Sequence, residues 1–367
     1  MLRDMATILC KKRAGNNSIF DHDYDYDYEH EHEHEKGCKM RVAVVVSMML
    51  LAGCARTQYA DSNPGALKSL PDNRSFHALF VGSCFKNYEF FENAGQHPFW
   101  PDVAEFDAVN AWWCAEAALL AYVPDKRFVR DRLARAGFDE VKYFDNAGPA
   151  LGPDMQFFVA ARRDLALVGF RGSEPNLADW VTNSKFVLTP FGSGEVHSGF
   201  LEALDEAWGK GKLGAELERL RKENPGRAVW FCGHSLGGAV AVLAAARWHD
   251  GHPGALGGAY VFGAPRVGDR AFCLGAKFPV FRVVNHIDLV ATVPPLGLYG
   301  EVGRLEWING RGEIQDGAMD AWRVPVAGHI AYFAKNLRRG RFVWLPEDVV
   351  DHSPLLYAIL EYNNIQN

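Results

Sequence analysis

The chain has 367 residues, 48% of them hydrophobic and 13% aromatic. That is enough for a sizeable buried core, organised as one α/β domain of about 300 residues. Its net charge of −6 comes without a basic block, which argues against nucleic acid as a partner.

The first segment carries no packable pattern. From Asp21 to Glu35 acids alternate with Tyr and then with His, a low-complexity tract without apolar periodicity. A His/carboxylate run can hold zinc or nickel loosely. The reading preferred here is that residues 1–39 are a translated repeat upstream of the true start, because Met40-Arg41 opens a second beginning. Positive charge at Lys39 and Arg41 precedes an apolar run from Val42 to Ala52, too short to span a bilayer and the length of a signal-peptide core. It ends Leu51-Ala52-Gly53-Cys54, which resembles the bacterial lipoprotein box, with Cys54 as the lipidated residue. Ala55, where an Asp would favour retention, directs the expectation to an outer-membrane-anchored lipoprotein of the cell envelope. On this reading residues 40–53 are a signal peptide and 54–75 a tether. Residues 76–367 are the folded domain.

Phe106 to Tyr122 has helical apolar spacing, and Lys126 to Ala136 reads as a short second helix stopped by Gly137. Phe157 to Ala161 and Leu165 to Phe170 read as a strand pair turning at Arg162-Arg163-Asp164. Leu201 to Glu223 is helical, with a break near 209–214. Further strands are expected over Ala228–Cys232, Gly258–Phe262 and Val280–Asn285. Strands separated by helices predict a mostly parallel central sheet with helices on both faces. Among the later cysteines, Cys114 and Cys232 fall in buried elements and read as packed free thiols. Cys84 and Cys273 are left as a possible disulfide.

The strongest chemical signal is Gly233-His234-Ser235-Leu236-Gly237, between the strand at 228–232 and an Ala/Val/Leu-rich run from Ala239 to Trp248. Strand, sharp turn and helix make a nucleophile elbow. It presents Ser235 at a helix N-terminus with its hydroxyl expected to be exposed, and the backbone N–H of Leu236 can meet an oxyanion. A serine nucleophile needs a base, and the base an orienting carboxylate, in the chain order Ser, acid, His. Asp288 follows the strand ending at Asn285 and fits the acid. His249 and His252 lie at the far end of the elbow helix, and His286 is two residues from the acid and reads as structural. His329 and His352 both precede helix-like segments, so the residues alone leave both open as the base.

Five blocks then occur in order. They are Phe170-Arg171-Gly172-Ser173 with Asp179-Trp180; Val196-His197-Ser198-Gly199-Phe200; the elbow; Phe262-Gly263-Ala264-Pro265-Arg266-Val267-Gly268; and Arg282-Val283-Val284-Asn285 leading to Asp288 and Pro294-Pro295. From about residue 108 to 357 the chain resembles the class 3 lipases, a fungal-lipase-like family of α/β-hydrolases. The resemblance implies a Ser235-Asp288-His352 triad, with Asp351-His352-Ser353 and Tyr357 matching the family's histidine segment. It also implies an oxyanion hole from Ser173 and Leu236, a structural His197, a loop-holding Arg266, and a short lid over Glu174–Asn183. It implies no cofactor and no metal.

The expected activity is therefore serine carboxylic-ester hydrolysis of lipid or other apolar esters through an acyl-enzyme. The alternatives are a phospholipase A1 or acyltransferase, or a catalytically silent surface lipoprotein that keeps the fold. The expected partners are a lipid or ester substrate and a membrane reached through the anchor on Cys54. The sequence carries no signal of oligomeric state.

Overall fold

A computed structural model of the chain describes residues 67–71, 75–144, 155–172, 186–210, 212–294, 296–316 and 347–366. Residues 1–53, Cys54, Ser173, the segment 174–183 and His329 lie outside the described residues.

The first long helix forms where its periodicity predicts. After a short α1 (Phe76–Phe80), α2 (Ala108–Leu120) starts behind Asp107, whose carboxylate accepts from Asn110 N. In α3 (Lys126–Arg135) Asp125 accepts from Arg127 N and Phe128 N. Such caps satisfy amides that have no intrahelical partner and contribute about 1 kcal/mol each.

Among the described residues eight strands form one sheet in the order β1-β2-β3-β6-β7-β8-β9-β10. They are β1 (Glu140–Phe144), β2 (Phe157–Ala161), β3 (Leu165–Phe170), β6 (Ala228–His234), β7 (Leu256–Phe262), β8 (Val280–Asn285), β9 (Arg304–Ile308) and β10 (Ile314–Asp316). The β3-β6-β7-β8-β9 core is parallel, with Leu165 opposite Ala228 and Phe170 opposite Gly233. The flanks β1-β2-β3 and β9-β10 are antiparallel, including the predicted β2–β3 hairpin with Ala161 opposite Ala166. A separate hairpin joins β4 (Leu188–Phe191) to β5 (Gly194–His197).

β6 and β7 are buried along nearly their whole length, as strands covered on both faces are, with side chains pointing alternately to the two faces. Trp230, Cys232, Tyr260 and Phe262 join the core cluster built around α2. On the opposite face the elbow helix α6 (Leu236–Gly251) packs on β6 and β7, with Gly238 against Val261. The predicted helix over 201–223 is two helices, α4 (Ser198–Asp205) and α5 (Leu213–Glu223), joined by one wider turn over Glu206–Lys210. α7 (Arg270–Gly275) follows β7, and α8 (Glu347–Val350) precedes the last helix, α9 (Pro354–Gln366). α9 lies on α2, with Tyr362 edge-on to Trp112 at 6.0 Å.

Cys114, Cys232 and Cys273 are free thiols, the first two buried as expected. A Cys84–Cys273 disulfide is thereby excluded.

Lys68, in the stretch read as tether, is 4% exposed. Its ammonium donates to Tyr88 Oη at 3.0 Å and to the Glu89 carbonyl at 2.9 Å. It lies 3.8 Å from Glu116 and 3.6 Å from Glu92, over the rings of Tyr88 and Tyr362. Its backbone pairs with Asn363: Lys68 N donates to Oδ1 at 2.7 Å, and Nδ2 donates to Lys68 O at 3.0 Å.

Candidate active site

The site is assembled at the carboxyl ends of β6, β7 and β8, the edge where the turns of a parallel sheet can present side chains. β6 ends at His234, and Ser235 takes φ 58° and ψ −129° before α6 begins at Leu236. A positive φ at a non-glycine residue is costly, and the packing fixes it here. A Cβ on Gly237 would approach Phe170 O to 2.5 Å, and one on Gly233 would collide with the Gly237 backbone. These are the close approaches that the glycines of the motif were expected to permit. Ser235 N donates to Phe262 O at 2.9 Å, which pins the elbow to β7. As the first helical residue, Leu236 carries one of the amides without an intrahelical acceptor.

His352 lies on the turn between α8 and α9. Its Nδ1 is 2.8 Å from Asp288 Oδ2 and 3.0 Å from Oδ1. The carboxylate can only accept, so Nδ1 carries the proton and Nε2 presents a lone pair. Asp288 is completely buried. Its Oδ1 accepts from Val290 N at 2.8 Å and its Oδ2 from Tyr357 Oη at 2.7 Å. His352 Nε2 and Ser235 Oγ are both buried, and neither has a hydrogen-bond partner among the described residues. Ser235 is 1% exposed, so the expectation of an exposed hydroxyl is corrected. The elbow lifts the serine off the sheet but leaves it within the packed protein.

His234 ties these parts together, a role its place in the motif did not reveal. Its ring is 4.4 Å from the His352 ring, and its Nε2 is 2.7 Å from the His352 carbonyl. The carbonyl requires Nε2 to donate, so Nδ1 accepts from Tyr122 Oη at 2.8 Å. Burial holds the imidazole well below its ordinary pKa, with His352 adding to the effect, so His234 is neutral. The end of β3 abuts the same place: a Cβ on Gly172 would reach 2.7 Å from His234 O and 3.2 Å from Ser235 Cβ. Tyr122 ends a helix read only for its apolar face, and no spacing in the sequence connects it to residue 234.

The loop carrying His352 is also tied to β8. Asn285 Nδ2 donates to Asp351 O at 3.0 Å, and Ile287 N donates to Asp351 Oδ2 at 3.3 Å. His286 Nδ1 is 3.0 Å from the same carboxylate, in keeping with its structural reading. Burial raises the Asp351 pKa to about 6. His197 Nδ1 accepts from Gly199 N at 3.1 Å, and the ring stacks on Phe200 at 4.3 Å. Arg266 binds the carbonyls of Thr292 and Pro294 and the carboxylate of Glu301, the loop-holding role expected of it. His252 Nε2 is 3.0 Å from Glu218, at the far end of α6. Among the described residues no cluster of three or more His, Cys, Asp or Glu is arranged to hold a metal ion.

Residues 167–298 match the family model described as Lipase (class 3). This segment is similar to the class 3 lipases. Secreted mono- and diacylglycerol lipase 1 of Fusarium solani is 36% identical over 162 residues, 41% of this chain and 45% of that protein. The lipase of Rhizomucor miehei is 34% identical over 149 residues, 38% of this chain and 40% of that protein. Phospholipase A1-II 4 of Oryza sativa is 32% identical over 183 residues, 42% and 46% of the two chains. The chain thus spans less than half the length of these curated relatives. A solved lipase from Rhizopus microsporus var. chinensis is 25% identical, with 59% of this chain and 80% of that one covered, at a TM-score of 0.46.

Proposed function

We propose that the protein is a serine carboxylic-ester hydrolase acting on lipid esters with apolar acyl chains. The observation that carries this reading is the buried 2.8 Å contact between His352 Nδ1 and Asp288 Oδ2, with the His352 ring 4.4 Å from that of His234, the residue before the elbow serine. Nδ1–H held by a carboxylate fixes the tautomer whose Nε2 can take a proton. In the proposed reaction Ser235 Oγ attacks the ester carbonyl carbon as its proton passes to His352 Nε2. The tetrahedral oxyanion is met by the N–H groups of Leu236 and Ser173, and donors of this kind are worth ~3–4 kcal/mol each. The carbon–oxygen bond to the alcohol breaks as the alcohol takes the proton from Nε2. Water then attacks the acyl-serine, giving its proton to Nε2, and collapse releases the acid and returns the proton to Ser235. Asp288 orients the imidazole and stabilises its charged form without taking its proton.

The test is hydrolysis of a chain-length series of p-nitrophenyl esters, with a triacylglycerol and a phospholipid alongside. Wild type should turn over the esters. Ser235→Ala and His352→Ala should each lose ~10⁴-fold or more, and the double variant should be no worse, because such residues act as a unit. His329→Ala should stay near wild type; a dead His329→Ala beside an active His352→Ala would move the base to 329. The similarity to a protein named phospholipase A1 favours a second reading for the substrate, in which a phospholipid acyl ester is cleaved. Faster release of fatty acid from the phospholipid than from the triacylglycerol would select it. A folded wild type that neither hydrolyses esters nor reacts with a fluorophosphonate would instead be a binding protein.

The envelope anchor belongs to the same proposal. Its support is the Leu-Ala-Gly-Cys box behind an apolar core of signal-peptide length. Fatty-acid labelling in cells should be lost in Cys54→Ser. Equal labelling of the variant would remove the anchor and leave the hydrolase reading standing.

A further inference from the structure

The segment directly after the proposed tether packs beside the candidate base. Phe80, the last residue of α1, is 5% exposed, and its ring faces the His352 imidazole at 6.4 Å with an interplanar angle of 28°. Leu79 O, one residue earlier, accepts from Ser353 Oγ at 2.8 Å, and Ser353 is fully buried. Leu79 and Phe80 form a small apolar cluster with Val350 and Leu356, which flank His352 in the chain. This contact joins residues 274 apart in sequence, one before and one after the segment 167–298 matched to the family.

Asp288 holds Nδ1, and His234 holds the backbone carbonyl. The His234 ring also packs on the imidazole, 4.4 Å away; rocking about the Nδ1–carboxylate contact would swing Nε2 away from the serine. A second ring set nearly parallel to the imidazole resists that motion by packing alone, since close-packed rings leave no void to move into. The hydrogen bond to Leu79 O fixes the residue following His352 against the same helix.

The geometry points to Phe80 as a positioning residue for His352, and to Ser75–Phe80 as a strap that completes the site from outside the segment matched to the family. This rests on the reading of His352 as the base. Aligned proton transfer is a property of the rate step and not of substrate affinity, so the strap acts on kcat.

The test uses the full chain with Phe80→Ala, Phe80→Leu and Ser353→Ala, each with its melting temperature, its kcat and KM on a p-nitrophenyl ester, and its rate of Ser235 phosphonylation by a fluorophosphonate. Phe80→Ala should lose at least ~10-fold in kcat with KM within about twofold of wild type. Phosphonylation, which needs the same base, should slow in proportion. Phe80→Leu refills the volume without a ring and preserves the fold if the alanine variant does not; it should lose ~3-fold or more, as should Ser353→Ala. Wild-type kcat and phosphonylation rate in a folded Phe80 variant would overturn the proposal. A wild-type protein silent to both substrate and probe would instead overturn the hydrolase reading beneath it.

Discussion

Tyr357 Oη donates to Asp288 Oδ2 at 2.7 Å while accepting from Asn285 N at 2.9 Å. One phenol thus links the last helix to the end of β8 and to the carboxylate that holds His352. Burial raises its pKa well above the ordinary tyrosine value, with the Asp288 charge adding to this, so it remains a donor. Tyr357→Phe deletes the donor without changing the ring. It leaves a buried carboxylate short of one partner and should cost ~1–3 kcal/mol in stability. kcat should fall about tenfold, read by steady-state hydrolysis beside a thermal melt.

Gly263 sits at φ +54° immediately after β7, in the left-handed region that favours glycine. A Cβ there would come 2.9 Å from His352 Nδ1 and would strike Asp288 Oδ2. Gly263→Ala should therefore separate the acid from the histidine. The expected result is a loss of ~100-fold or more in kcat in a protein that still folds, with the Nδ1 proton resonance shifted or lost in the NMR spectrum.

The central layer of this fold was legible because its signals are local. Apolar runs such as Leu165–Phe170 and Val280–Asn285 become buried parallel strands, and the glycines around Ser235 announce a turn that only they can make. The outer strands escaped: Glu140–Phe144, Arg304–Ile308 and Ile314–Asp316 mix charge with apolar residues and lie at or near the sheet edge. Chain order points to Asp288, but its pairing with His352 has no local signal, because that contact spans 64 residues. His234, Tyr122 and Phe80 were illegible as parts of the site for the same reason. Each is an ordinary core residue until the fold brings His352 beside it.

Glu361 is fully buried in α9, and neither carboxylate oxygen has a partner among the described residues. Burial, reinforced by the nearby Glu306, pushes its pKa up to about 8. The folded protein therefore holds a proton that the unfolded chain has released between pH 4.5 and 8. This contribution to stability is full below pH 4.5 and is lost as pH rises through 8. Glu361→Met removes the titration. Denaturant melts should show the variant gaining on the order of a few kcal/mol relative to wild type at pH 8.5, and little at pH 4.5.

Lys68 neutralises a buried acidic site whose Glu116 also accepts from Tyr88 Oη, Trp112 Nε1 and Phe91 N. Removing one partner of such a pair leaves an uncompensated charge. Lys68→Met should cost ~3–5 kcal/mol, and Lys68→Met with Glu116→Gln should cost less than the sum of the two single changes. Chemical denaturation of the four proteins of this double-mutant cycle measures the difference.

The bond pair between Lys68 and Asn363 has a consequence for the order of events during synthesis. The partners are 295 residues apart, and Asn363 lies on the helix that also supplies Tyr357 to Asp288. A ribosome extends the chain from its N-terminus, so α2 and the sheet emerge with one side of their core uncovered. The cationic plug and the aligned imidazole must both wait for α9. Contacts of such long separation close late and slowly. A chain ending before Pro354 would carry the elbow serine without Tyr357 to hold Asp288, so the proposed site would be complete only once residues up to Asn363 have emerged from the ribosome.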